Sequence, residues 1–328
     1  MKLFKLILVL TAALATVFIF ALACGGSSLG IKQAFTVLIE GRSADIASDI
    51  IWTIRLPRIF TGMLVGAALA VCGAVLQGIL KNPLAEPYTL GISGGAALGA
   101  SVAAVFKFTF WGIPAMACAG SIISVFLVYL VALKKRFSNS ALVLGGVVLS
   151  YIFSSAVLML FAAAKSSDVH HVVLWLIGDL SSADYTFLRI IAVFVVPSTI
   201  ALIALGRRLD VLAMGQEKAQ SLGVDAAASK KTVFVLVSVI TGACVAASGM
   251  IGFVGLMIPH TVRRLCGPGH RMLLTVSCFA GAGFLIFCDA LARIMLRPVE
   301  LPVGVVTGIF GGLFFLWLLF KKDEWEMF

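Results

Sequence analysis

The 328-residue chain reads as an all-α, polytopic membrane protein of about ten transmembrane helices. Composition is the first reason: 61% of the residues are hydrophobic and 12% charged, at a mean hydropathy of +1.11, which leaves too little polar surface to enclose a soluble core of this size. Length is the second. A span takes roughly 20 mostly apolar residues, and apolar runs of about that length recur along the chain between short polar breaks. The third is charge: a net +10 would suggest nucleic acid in a soluble protein, but here the basic residues sort by side of a bilayer.

The first expected span, 5–24, is an apolar run behind a basic start. Small residues before Cys24 also give it the layout of a lipoprotein signal, yet the run from Leu6 to Ala23 exceeds the roughly 7–15-residue core of such signals, so it reads as an uncleaved span. The second, 58–80, follows Arg55 and Arg58 and carries Gly62 and Gly66; the third, 89–106, carries Gly91, Gly95 and Gly99. Small residues four apart let helix backbones approach closely where lipid gives no hydrophobic drive to pack. The fourth and fifth, 113–133 and 141–163, flank the basic run 134–136, and the sixth and seventh, 187–205 and 232–249, flank a polar segment, 209–231. An eighth, 251–262, is too short and glycine-rich for hydropathy alone to assign; 272–292 and 303–320 close the series.

With both termini on the cytoplasmic side, 16 of the 25 Lys and Arg residues fall there, among them Lys81, Lys134, Lys135, Arg136, Arg207, Arg208, Lys230, Lys231, Arg263 and Arg264. That asymmetry supports the orientation. No linker or charge block divides residues 1–328, which read as a single transmembrane domain. Within it Gly66, Gly73, Pro83 and Gly91 recur 176 residues later as Gly242, Gly249, Pro259 and Gly267. An offset of five spans makes equivalent helices run in opposite directions, as inverted-topology repeats do. The seven cysteines are scattered singly in or beside apolar spans without a CxxC pair, and read as small hydrophobes.

Candidate chemistry is sparse. There is no GxxxxGK[ST] to cradle nucleotide phosphates, and no HExxH or GxSxG. Asp289 is the clearest carboxylate within a span; four residues before Arg293 it is placed to pair with that arginine, with a proton relay as the alternative role. His170 and His171 follow Asp168 in an expected outer loop, with no third ligand at metal-binding spacing. Residues 209–231 suggest a short amphipathic helix with an apolar edge of Leu212, Met214, Ala219 and Leu222, stopped by Gly223, with Asp225 capping the next helix.

RLPR at 55–58, GAALAVCGAVLQ, NPLAEPYTLGISGGA, SGMIGFVGLMIPHTVRRLCG and ELPVGVVTGIFGGLFFLWLL together resemble the FecCD permeases, the membrane subunits of ATP-driven importers for iron chelates, haem and cobalamin. The resemblance covers nearly the whole chain and retains the eighth span. It implies that Arg55, Arg58 and Arg293 dock an extracytoplasmic substrate-binding protein through acidic residues on its lobes, with Arg297 unmatched to the pattern. It implies that Gly215, Glu217, Leu222 and Gly223 belong to a coupling helix seated in an ATP-binding cassette ATPase, and that Asn139 and Ser140 form an inner gate. Helix capping explains Asn139 and Ser140 equally well. The implied assembly is two permease subunits, as a homodimer or with a similar permease, two ATPases and a binding protein, in the bacterial cytoplasmic membrane and its lipid, without nucleic acid. No cofactor is expected in this chain, ATP being used by the partner subunit. A secondary carrier driven by an ion gradient would suit inverted repeats as well.

Overall fold

A computed structural model describes residues 2–25, 30–108, 112–135, 138–296 and 298–321, and every regular element among them is helical. The chain opens with the apolar α1 (Lys2–Ala23), then α2 (Ile31–Glu40) and the single turn α3 (Ile46–Asp49). α3 runs through a π turn, Ile50–Arg55, into α4 (Leu56–Leu80), so that Ile46–Leu80 is one 35-residue helical stretch. Pro57 has no N–H and its ring crowds the preceding turn, which would break an ordinary ladder. The π register, in which the Leu56 N–H reaches the Ile51 carbonyl, carries the helix past the proline.

α4 stops where Lys81 turns left-handed (φ 50°) and donates its N–H to the Gln77 carbonyl. A 3₁₀ turn, Pro87–Leu90, follows, and Gly91 (φ 78°) makes the reversal into α5 (Ile92–Val105) that a side chain would resist. Then come α6 (Gly112–Lys134), α7 (Asn139–Ala163), the short α8 (Ser166–Leu176), α9 (Tyr185–Ala204), α10 (Gly206–Ala213) and α11 (Gln216–Ser221). α12 (Ala226–Ser248), α13 (Val254–Cys266), α14 (His270–Ala292) and α15 (Val303–Phe320) complete the order. All ten expected spans fall on helices. Among the described residues eight helical stretches are long and apolar enough to cross a membrane; α5 and α13, with 14 and 13 residues, are shorter.

α4 sits at the centre, most of its residues buried, because small residues let its neighbours close on it. A Cβ on Gly66 would overlap the Gly281 carbonyl of α14, and one on Gly281 the Gly66 carbonyl; Gly73 meets the Gly255 carbonyl in the same way, and Gly95 of α5 meets Gly120 of α6. Pro259 inside α13 denies the Gly255 carbonyl its usual donor. Gln77 of α4 supplies one: its Nε2 donates to Gly255 at 3.3 Å and to Leu256 at 3.2 Å. Inside a bilayer such repair is needed, since no water can satisfy the carbonyl. α6, α7, α9 and α15 turn large apolar side chains outward, Ile122, Phe126, Leu144, Ile152, Phe194 and Leu316 among them, a belt suited to lipid or to a neighbouring subunit.

The ten spans form two runs of five with parallel lengths, 22, 25, 14, 23 and 25 residues and then 20, 23, 13, 23 and 18, the short member third in each. The constant offset of 176 does not mark that correspondence. Pro83 lies in the connection after α4 whereas Pro259 lies within α13, so the two prolines occupy unlike positions. The expected loop at 168–171 is part of helix α8.

Candidate functional site

Polar side chains gather at the two ends of the bundle. At the first, α4 and α14 bring two guanidinium groups, Arg58 and Arg293, onto one carboxylate, Asp289, and Arg55 of the π turn joins Arg293 at the end of α1. Arg58 donates from Nε to Asp289 Oδ1 at 2.9 Å, and Arg293 Nε lies 3.1 Å from Asp289 Oδ2, so each oxygen of Asp289 holds one arginine. Arg58 also donates from Nη1 to Glu300 Oε2 at 2.6 Å. The remaining donors turn to the end of α1. Arg293 reaches the Cys24 carbonyl at 2.7 Å and the Ala21 carbonyl at 2.9 Å, and Arg55 reaches the Leu22 carbonyl at 2.5 Å. The last carbonyls of a helix lack intrahelical partners and carry the negative end of its dipole, so two arginines from other helices cap α1 there.

This changes the expectation for the arginines. Arg55, Arg58 and Arg293 were expected to meet an extracytoplasmic partner, but they are 3%, 4% and 2% exposed and point into the bundle. Two carboxylate oxygens and the carbonyls of α1 draw them inward, since a buried guanidinium needs such partners. The Asp289–Arg293 pair is present as expected; its sharing with Arg58 was not foreseen. Glu300, with a half-exposed side chain, is where this cluster meets the surface. The sequence signal for it was its isolation: it is the sole carboxylate between the ninth and tenth spans. Arg297 lies outside the described residues.

At the opposite end, the 209–231 segment is two short helices, α10 and α11, broken at Gly215 (φ 111°), and not the single helix expected. Gly223 (φ 75°) ends the second as expected, and Asp225 caps α12 by accepting from the Ala227 and Ala228 N–H groups. Of the expected apolar edge, Leu212 and Ala219 pack inward, while Met214 and Leu222 are 59% and 61% exposed. Two clefts of about 540 and 560 Å³ open beside this segment, and Lys81 and Met214 line both. Gly215, Glu217 and Asn139 line the second, with Lys230; Leu222, Gly223 and the exposed Ser140 stand apart from it.

Asn139 does not cap α7. Ser138 does, accepting from the Ala141 N–H at 3.3 Å, which frees the Asn139 amide to tie helices. Asn139 donates from Nδ2 to the Ile79 carbonyl of α4 at 3.1 Å and accepts from Lys230 Nζ of α12 at 3.0 Å. A second tie holds α10 to α14: Asp210 Oδ1 takes the His270 backbone N–H and lies 2.8 Å from His270 Nδ1. No spacing in the sequence pointed to Asp210, His270 or Lys230. Among the described residues no three His, Cys, Asp or Glu side chains gather as a metal site, and the side chains of Asp168 and His171 lie outside them.

A bundle closed by glycine contacts, polar at its two ends and apolar around its girth, is that of a polytopic membrane protein. Residues 13–321 match the FecCD transport family, and the chain belongs to that family of ABC permeases. It is 40% identical to the cobalamin import system permease protein BtuC of Halobacterium salinarum, over 88% of this chain and 78% of that one. It is 34% identical to the hemin transport system permease protein HmuU of Yersinia pestis, over 92% and 93%. A solved structure described as an inward-facing metal-chelate type ABC transporter superposes with a TM-score of 0.87 at 31% identity, covering 97% of this chain and 99% of that one.

Proposed function

We propose that this chain is the membrane conduit of an ATP-driven importer that passes an iron chelate, haem or cobalamin from an extracytoplasmic binding protein into the cytoplasm. The observation that carries the reading is the likeness, over nearly the whole chain, to the hemin permease and to the metal-chelate type transporter. The conduit is shared with a second permease subunit across the apolar faces, and both termini are cytoplasmic. Two partner ATPases bind and hydrolyse the ATP; this chain holds no cofactor of its own.

Each end then has a task. Met214 and Leu222, exposed on α10–α11, suit an apolar groove of the ATPase, with Gly215, Glu217 and Gly223 shaping the segment they stand on. Movement of α10 is passed through Asp210 and His270 to α14, whose far end carries Asp289 and Arg293. α14 therefore joins the ATPase end to the arginine end. Asn139, held between α4 and α12, braces the inner gate beside Ser140. The arginine cluster receives acidic groups of the binding protein, and because its guanidinium groups lie inside the rim, docking reaches them by way of Glu300.

The test is uptake into proteoliposomes of labelled ferric siderophore, haem and cobalamin, with and without the co-purified ATPase and ATP. One of them should accumulate when binding protein, ATPase and ATP are all present. Uptake down an ion gradient by the permease alone would instead make the chain a secondary carrier.

A further inference from the structure

We infer that Glu300 is a resident stand-in for the carboxylate of the docking partner, holding the Arg58 site closed until an external carboxylate displaces it. This rests on the docking reading above. The cluster sets two buried guanidinium groups, Arg58 and Arg293, against two carboxylates, Asp289 and Glu300. The two carboxylates differ in kind. Asp289 is 1% exposed and spends both oxygens on arginines carried by the helices themselves, so it is built in. Glu300 stands on the connection between α14 and α15, its side chain 39% exposed, and touches Arg58 through a single donor.

Arg58 has a donor to spare. Its Nε is taken by Asp289 and its Nη1 by Glu300, but among the described residues its buried Nη2 has no hydrogen-bond partner. A guanidinium is a planar fork that takes a carboxylate best through two parallel bonds. Glu300 uses one prong of the Nη1–Nη2 edge and leaves the other unspent, the mark of a place-holder and not of an optimised pair. A carboxylate arriving from the aqueous side could use both prongs. Glu300 would then swing into solvent, and an internal pair would be exchanged for an external one.

The surroundings fit a protein partner. Met295, Leu296 and Val299, on the same connection as Glu300, are more than half exposed, so an acidic side chain reaching Arg58 would be flanked by apolar surface that a folded lobe can cover. Exchange also gives the dock a release step. When the partner's carboxylate withdraws, Glu300 returns, so that binding is specific without being permanent. Binding that requires the open form is weakened by the fraction of time the site is closed.

Two measurements on the full-length permease in nanodiscs test this. The first needs no partner: phenylglyoxal labelling, read at Arg58 by mass spectrometry. Arg58 should be protected in the wild type and labelled in Glu300→Ala, and equal protection in both overturns the proposal. The second is the affinity of the importer's own ligand-free binding protein. Glu300→Gln should bind roughly tenfold tighter, mainly through faster association, if the open form is about a tenth of the population. That gain should vanish in the Arg58→Lys background. Unchanged or weaker binding by Glu300→Gln, as expected if Glu300 itself contacts the partner, overturns it. If the wild type binds no better than Arg58→Glu, the docking reading falls and the stand-in role with it. The labelling result separates that outcome from a failure at Glu300 alone.

Discussion

Asp289 is the residue on which the arginine end turns, because each of its oxygens pairs with a different buried guanidinium. Removing one partner of a buried ion pair leaves an uncompensated charge, at a cost of about 3–5 kcal/mol, whereas a half-exposed pair is worth about 1 kcal/mol or less. Asp289→Asn should therefore lower the thermal unfolding temperature of the detergent-solubilised permease far more than Glu300→Gln does. If the two variants unfold together, Asp289 is no structural anchor. Part of this was legible from the sequence: the i,i+4 spacing alone pairs Asp289 with Arg293. What could not be read was the inward turn of Arg55 and Arg293, because their partners are the main-chain carbonyls that close α1. Such groups exist in every residue and carry no sequence signature. Nor does periodicity within one helix reveal that Arg58, 231 positions away, shares the same carboxylate.

Between helices, α4 and α14 pack backbone against backbone at Gly66 and Gly281. A Cβ on Gly66 would meet a carbonyl oxygen and would stand 2.7 Å from Leu285 Cβ, neither of which can swing aside. Gly66→Val should force the two helices apart and destabilise the bundle by about 1–3 kcal/mol or more. Gly62→Ala is the control on the same face. Its nearest neighbours are the side-chain ends of Ile286 and Leu180 at 3.1 and 3.3 Å, which can yield by a few tenths of an ångström. Thermal unfolding and the yield of monodisperse protein compare them, and equal effects would mean that the α4–α14 contact does not limit stability. Four-residue glycine spacing made this contact legible in kind, though not which helix would answer. The 209–231 segment shows the limit at this scale. Both Gly215 and Gly223 take positive φ, yet the sequence reading stopped the helix at one of them. Glycine permits a break without compelling it. The break at Gly215 follows from tertiary packing, which buries Leu209 and Leu212 of α10 together with Ala219 of α11.

For the whole molecule, the buried arginines sharpen the argument about orientation. Counted as free cations, Arg55, Arg58 and Arg293 weaken the positive-inside asymmetry, since they stand at the end with fewer basic residues. Arg58 and Arg293 are paired with Asp289 and Glu300, and Arg55 is held by a carbonyl of α1, so they are buried within the bundle and do not act as loop charges. Lys134, Lys135, Arg207, Arg208, Lys218, Lys231, Arg264 and Arg271 are exposed at the other end, the one that carries α10 and α11. The rule weighs accessible Lys and Arg near the ends of spans, so that end should face the cytoplasm. Single cysteines placed in a background lacking the seven native ones can decide this. Glu40→Cys on α2 and Gln220→Cys on α11 are both surface positions at opposite ends of the bundle. A membrane-impermeant maleimide added to intact cells should modify Glu40→Cys at once, and Gln220→Cys only after permeabilisation. The reverse pattern would put the α10–α11 segment outside, beyond reach of any cytoplasmic ATPase, and would end the account of how this permease is driven.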